Sequence, residues 1–147
     1  MALITTTLLL QRYEGLKSDA TRLRIHLSGS ISQLAAEPAS SAVLLQLYSN
    51  LGQWRDQLNA IAAIPGLTAL AQEEEANPGY DIVAEIGIVV SAITGAITWI
   101  DANFPEANGY ILFAEISGGT VTYRNFTSTQ TAPLRTLLQS VVDAIGA

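Results

Sequence analysis

The chain has one histidine, His26, which is the first residue to consider as a catalytic base or a metal ligand. A zinc site needs three or four converging His, Cys or carboxylate ligands, and the sequence contains no cysteine. Arg22 and Arg24 lie close to His26 in the sequence and would repel a bound cation. The nearby Gly29-Ser30-Ile31-Ser32 lacks the second glycine of a nucleophile elbow. We therefore predict a structural role for His26 as a boundary residue of the first helix, next to Leu27, with no metal and no catalytic residue.

Carboxylates are the other side chains able to do acid–base chemistry, and they occur in two sets. Glu73-Glu74-Glu75 are consecutive, and consecutive residues of a helix point in different directions. Asp81 and Glu85 share a helix face near a helix start, where acidic groups are favourable. We interpret both sets as solvent-exposed charge. An enzyme would need acids from distant segments, such as Glu85 with Glu115, and the sequence leaves that alternative open.

Phosphate binding has little support in the sequence. Gly118-Gly119 is not followed by the lysine of a phosphate-binding loop. Seven Lys and Arg face thirteen Asp and Glu, and the net charge of −6 repels nucleic acid on average. A basic strip on the first helix either contacts nucleic acid in a lumen or keeps the helix soluble, and we favour the second. Its members are Arg12, Lys17, Arg22 and Arg24. No cofactor is predicted.

The composition indicates an interaction surface. The 147 residues suit one domain, and the apolar content of 49% excludes a disordered chain. Charged residues make up 14%, compared with about 25% in ordinary soluble domains. Apolar surface that one folded copy cannot bury marks association, so we predict obligate assembly.

Apolar residues spaced three and four apart predict the helices. The first spans about Thr6–Ala36, and its apolar stripe is Leu9, Tyr13, Leu16, Ala20, Leu23, Leu27, Ser30 and Leu34. The second begins at Ser40 or Ser41, and its stripe is Leu44, Leu47, Leu51, Trp54, Leu58 and Ile61. A short helical turn, Leu67–Glu75, follows the Pro65-Gly66 break. The third begins near Pro78–Asp81, and its stripe is Val83, Ile86, Val90, Ile93, Ile97, Ile100 and Phe104. The last begins near Thr131.

The segment from Ile86 to Ile100 carries no charge and must be weighed as a membrane span. A span needs about 20 apolar residues. Acidic residues flank this segment on both sides, and no Lys or Arg supplies the positive-inside pattern. We predict no membrane association. A helix that is apolar nearly all round must be enclosed by its neighbours or covered by a partner subunit.

A β-hairpin is predicted before the last helix. Tyr110–Ser117 and Thr120–Thr127 are rich in β-forming residues and are joined by Gly118-Gly119, a two-residue turn. A two-stranded hairpin is marginal alone, so this one should dock on helices or on another chain. The candidate contact residues for an oligomer or partner are Ile111, Phe113, Tyr123, Arg124 and Phe126.

The predicted fold class is mainly α: an elongated antiparallel helical bundle of about four helices with a β-hairpin inserted before the C-terminal helix. One domain covers residues 1–147. Residues 1–105 form the bundle, 106–127 the hairpin, and 128–147 a C-terminal helix that packs back.

Several short strings resemble the small α-helical virion proteins of tailed bacteriophages. They are Asn103-Phe104-Pro105, Asn108-Gly109-Tyr110, the stretch from Phe126-Thr127 through Leu137, and the break at residues 63–66. The resemblance implies a non-enzymatic, ring-forming connector in the neck that joins the portal to the tail. It also implies identical subunits and other phage structural proteins (portal, neck or tail) as partners, proximity to packaged DNA, and location in the virion after synthesis in the host cytoplasm.

Two alternatives stay open beside the carboxylate enzyme named above. The first is a small adaptor or assembly chaperone that binds one heterologous protein. The second is a virion protein of the capsid surface or the tail.

Overall fold

The computed structural model describes residues 2–35, 39–103, 114–117, 120–123 and 125–146. Its helices, in chain order, are α1 (Ala2–Leu34), α2 (Ser41–Ala62), α3 (Leu67–Glu74), α4 (Ile82–Asn103) and α5 (Ser128–Gly146). Its strands are β1 (Ala39–Ser40), β2 (Ala114–Ser117), β3 (Thr120–Tyr123) and β4 (Asn125–Phe126).

The predicted fold class needs correction in its details, although a mainly helical bundle is what forms. The described residues contain five helices rather than about four, because the predicted short helical turn Leu67–Glu75 is a helix in its own right, α3. The segment after Pro65 forms a separate helix because Gly66, with φ of 83°, turns the chain in a left-handed conformation immediately before α3.

The predicted hairpin of residues 110–127 is not seen as a unit. The described antiparallel pairing of β2 with β3 covers four residues a strand, with Ala114 opposite Tyr123 and Ser117 opposite Thr120. The chain then leaves this ladder, and β4 pairs with β1, so that Phe126 lies opposite Ala39. Strand β4 has two residues and therefore few backbone groups that can form hydrogen bonds. Because these groups pair with β1, they do not extend the β2–β3 pairing into a longer hairpin.

Four helices form a bundle in which α1 and α4 occupy opposite corners. Helix α1 packs mainly on α5 and α2, and α4 also packs mainly on α5 and α2. Helix α3 contacts both α1 and α4.

The predicted stripes of α1 and α2 supply much of the core. From α1, the buried members are Tyr13, Leu16, Leu23, Leu27, Ser30 and Leu34. From α2, they are Leu44, Leu47, Leu51 and Leu58. The spacing of apolar residues therefore predicted the inward faces of these two helices correctly.

Helix α4 is less enclosed than its sequence predicts. Its buried side chains are Ile82, Ile86, Ile93, Ala96, Ile97 and Ile100, whereas Val83 is 41% exposed. Among the helices of the described ranges, α4 is the one long and apolar enough to cross a membrane by length and composition, and 28% of its most apolar stretch is buried. Its neighbours in the bundle therefore cover one side and leave the other open.

Side-chain caps decide where two helices begin. The Asp81 Oδ1 accepts a hydrogen bond of 3.0 Å from the backbone N–H of Ala84 at the start of α4. At the start of α5, the backbone N–H of Gln130 donates to Thr127 Oγ1, and the backbone N–H of Thr127 donates to Gln130 Oε1. This reciprocal capping box starts α5 at Ser128, three residues before the predicted Thr131.

Candidate functional site

The predicted hairpin contact residues are only partly within the described chain. Ile111, Phe113 and Arg124 lie outside the described residues. The backbone of Tyr123 lies in β3 and that of Phe126 in β4, and neither side chain belongs to the described part of the structure. Their role as a contact surface therefore stays a prediction.

His26 lies exposed on α1. Its Nε2 is 3.1 Å from the Asn50 Nδ2 of α2, within hydrogen-bond distance. No group of three or more His, Cys, Asp or Glu that could hold a metal ion occurs within residues 2–35, 39–103 and the other described segments. His26 therefore contributes to the contact between α1 and α2.

Glu75 connects the segment after α3 to the middle of α1. Its Oε1 accepts a hydrogen bond of 2.5 Å from the Tyr13 hydroxyl and lies 2.6 Å from the Lys17 Nζ. The Lys17 ammonium also lies 5.1 Å from the centroid of the Tyr13 ring, within the range of a cation–π contact. Glu75 is exposed, as predicted for the acidic run. No pattern in the sequence connects Glu75 with these two partners, which lie in another helix.

The contacts of Glu75 shift the pKa values of all three groups. Hydrogen bonds from Lys17 and then Tyr13 lower the pKa of the Glu75 carboxyl. The hydrogen bond to Glu75 raises the pKa of the Lys17 ammonium. Burial raises the pKa of the Tyr13 hydroxyl, and its hydrogen bond to Glu75 raises it further. At neutral pH this cluster is therefore a carboxylate, an ammonium and a neutral phenol.

The predicted basic strip of α1 is divided among several local contacts. Lys17 pairs with Glu75, as described above. The Arg22 guanidinium lies 3.0 Å from Asp19 one turn away and remains 74% exposed. The Arg24 side chain passes beside Gly146, at the C-terminal end of α5, where the helix dipole favours a cation. These contacts favour the role in solubility and packing over a nucleic-acid site.

A cleft of about 580 Å³ lies between α1 and α4. Its lining combines apolar side chains such as Leu16 and Ile86 with the charged side chains of Lys17, Glu75 and Glu85. Glu75 and Glu85 therefore line one cleft although they come from different segments. The side chain of Glu115, the predicted partner of Glu85, is outside the described part of the structure, so the carboxylate-pair alternative stays untested.

The α4 outer face is the open side of the most apolar helix. It consists of exposed or half-exposed residues, none of them charged: Val83, Ala84, Gly87, Ile88, Ser91, Thr94, Gly95 and Thr98. Ile88 is 55% exposed. A Cβ added at Gly87 or at Gly95 would meet nothing within 4 Å. This face is therefore a shallow uncharged surface that another backbone can approach closely.

A second exposed apolar site lies on the other side of the bundle. Ile25 of α1 is 64% exposed. Together with Arg22, His26, Asn50 and Trp54 it lines a recess of about 440 Å³ between α1 and α2. We call this surface the Ile25 recess.

Comparisons with known proteins give no relative for this chain. No protein-family model, no curated protein and no solved structure matches it.

Proposed function

We propose that this protein is a non-enzymatic structural subunit of a tailed-phage particle, at the head-to-tail junction, and that copies of it assemble through the α4 outer face. The phage assignment is supported by the resemblance of the short strings between residues 63 and 137. Assembly is supported by one observation of the fold, namely that the bundle leaves one side of α4 uncovered.

The α4 outer face is unlike the solvent side of an ordinary surface helix. Such a helix places charged side chains away from the core, but α4 has none between Glu85 and Asp101. Gly87, Ser91 and Gly95 recur every four residues and so align along the helix. Small residues in this arrangement let a neighbouring backbone approach. A second copy that covers this face would remove Ile88 and Val83 from water.

Sedimentation velocity over a range of concentrations tests self-assembly. We expect species with masses that are multiples of 15.6 kDa. Ile88→Glu should give a folded monomer, because a carboxylate on the covered face would lose its hydration without a partner. Thr136→Glu adds the same charge on the exposed side of α5 and should assemble normally. A wild-type protein that stays monomeric at every concentration contradicts the proposal.

Mass spectrometry of purified particles tests the location. We expect the protein in mature virions, together with portal, neck or tail proteins. An adaptor or assembly chaperone would be absent from the particle and would form a complex with one heterologous protein. Electron micrographs of the purified protein provide a second test, because a connector subunit should form rings.

A further inference from the structure

We infer that the cleft between α1 and α4 binds a small organic cation, namely an apolar molecule that carries one protonated amine. The apolar part lies against the hydrophobic lining of the cleft, and the ammonium group pairs with the Glu85 carboxylate. This inference is independent of the proposed function, because one copy of the chain contains the whole cleft.

The cleft lies between the ends of two helices. Helices α3 and α5 each pack against both α1 and α4. Helix α5 ends at Gly146, beside the Arg24 side chain of α1. Glu75, at the C-terminal end of α3, contacts Tyr13 and Lys17 of the same helix. Lys17 and Arg24 are about 10 Å apart along α1 at 1.5 Å per residue, and both line the cleft.

The lining of the cleft suits an apolar molecule. Half-exposed apolar side chains from four helices open onto it, namely Ala20 of α1, Trp54 of α2, Val89 of α4 and Ile145 of α5. Tyr80 adds a half-exposed aromatic ring. The cleft volume of about 580 Å³ lies within the range of about 300–1,000 Å³ that is typical of small-molecule sites. A bound apolar group would remove these side chains from water, which is favourable.

The charges of the cleft leave one carboxylate available to a ligand. The charged side chains that line it are Lys17, Arg24, Glu75 and Glu85. The Lys17 Nζ lies 2.6 Å from the Glu75 Oε1, so these two charges compensate each other. Arg24 lies beside the C-terminal end of α5, where the negative end of the helix dipole stabilises a cation. Glu85, in contrast, forms no ion pair with another residue that the structure describes.

The Glu85 carboxylate lies near an aromatic part of the lining. Burial raises the pKa of the Tyr80 hydroxyl, and the negative charge of Glu85 raises it further. An ammonium group bound here would meet both a carboxylate and the ring of Tyr80, and each of these attracts a cation. An anionic group at the same place would be repelled by Glu85. The charge pattern therefore selects a cation over a neutral or an anionic molecule with the same apolar part.

Three probes with the same apolar chain test the inference: n-octylammonium, octanol and octanoate. Isothermal titration calorimetry with the full chain at neutral pH, below the concentrations at which the probes form micelles, measures their affinities. We expect n-octylammonium to bind about fivefold more tightly than octanol, as for a partly exposed ion pair, and octanoate to bind most weakly. Each methylene group added to the alkylammonium should tighten binding about fourfold, because it is buried in the cleft.

Two matched pairs of variants locate the site. Glu85→Gln should lose the preference for n-octylammonium over octanol, whereas Glu73→Gln, at an exposed position outside the cleft lining, should keep it. Ala20→Trp should fill the cleft and abolish binding of n-octylammonium. Ser18→Trp places the same side chain at an exposed position of α1 outside the lining and should bind like the wild type. Circular dichroism should show the same helix content for every variant.

Several outcomes would overturn the inference. Equal affinities for the three probes, or tightest binding of octanoate, would show that the cleft does not select a cation. Binding of n-octylammonium that survives Ala20→Trp would show that the cation binds elsewhere, such as on the α4 outer face. Should Ala20→Trp lose helix content, Thr21→Trp, at an exposed position of the lining, replaces it with the same expected loss of binding. A chain that never self-assembles would contradict the proposed function and leave this inference standing.

Discussion

The hydroxyl of Thr131 donates a buried hydrogen bond of 2.6 Å to the carbonyl oxygen of Leu34. Leu34 is the last residue of α1, and the last carbonyl groups of a helix have no partner within it. Thr131 lies in the second turn of α5 and is fully buried, as is Leu34. One side chain of α5 therefore satisfies the end of α1, and this contact fixes the position of the two helices relative to each other.

Replacing Thr131 with Val should destabilise the protein by about 1–2 kcal/mol, because the shape is kept while the buried Leu34 carbonyl loses its donor. Urea denaturation followed by circular dichroism measures the change. Thr136→Val removes a hydroxyl from an exposed site of the same helix, where it donates to the Ala132 carbonyl one turn away. That control should stay within about 0.5 kcal/mol of the wild type. Equal losses in the two variants would show that the contact with Leu34 has no special weight.

Tyr13→Phe should cost about 1 kcal/mol, because the ring stays packed while its hydrogen bond to Glu75 is lost. The raised pKa of Tyr13 in the folded chain also predicts a pH dependence. The unfolded chain releases this proton near pH 10.0, so stability falls as the pH rises above that value. Absorbance titration of the tyrosines should show a late step, at a higher pH than that of an ordinary tyrosine, which Tyr13→Phe makes smaller. A late step of unchanged size in this variant would assign it to other tyrosines, such as Tyr80, whose pKa burial also raises.

Glu75→Gln should make the stability of the protein less sensitive to acid. The folded pKa of Glu75 lies below its ordinary value of 4.5. The stabilisation is therefore present above pH 4.5 and is lost as the pH falls through the folded pKa. Thermal unfolding at a series of pH values should show a smaller drop in Tm on acidification for Glu75→Gln than for the wild type. Glu73→Gln, which changes a carboxyl outside the contacts with Tyr13 and Lys17, should follow the wild-type profile. Parallel profiles for all three proteins would rule out a role of Glu75 in acid sensitivity.

Ile93→Asp should unfold the chain, because Ile93 is fully buried in α4 and an unpaired buried charge costs several kcal/mol, on the order of 3–5. Ile88→Asp makes the same change on the α4 outer face and should leave the fold intact. Far-UV circular dichroism and thermal unfolding distinguish the two variants. An Ile93→Asp protein that melts at the wild-type temperature would show that the buried side of α4 is not central to the core.

The sequence was sufficient to predict the inward faces of α1 and α2. Leu16, Leu23 and Leu27 share one side of α1 because the helix repeats every 3.6 residues, and the structure buries all three. The capping of α4 by Asp81 is also a local feature, because the donor and the acceptor of its hydrogen bond are three residues apart. The start of α5 was missed although its signal is also local: Thr127 and Gln130 have the spacing of a capping box.

The contacts between distant segments were not available from the sequence. Tyr13 and Glu75 are 62 residues apart, and no periodic pattern connects a tyrosine of α1 with the last residue of an acidic run. The pairing of β4 with β1 is similar, because β-rich composition shows that Asn125 and Phe126 can extend but does not show which backbone they meet.

The sequence by itself determined that α4 is apolar almost all round. Helix α4 therefore has more apolar surface than a single inward face can bury. Only the tertiary structure decided which side stays open. Helices α2 and α5 cover Ile93 and Ile100 and leave Gly87, Ile88 and Ser91 uncovered. The physical reason is that helical periodicity is a property of one segment, whereas burial depends on which other segments pack against it and on which sides.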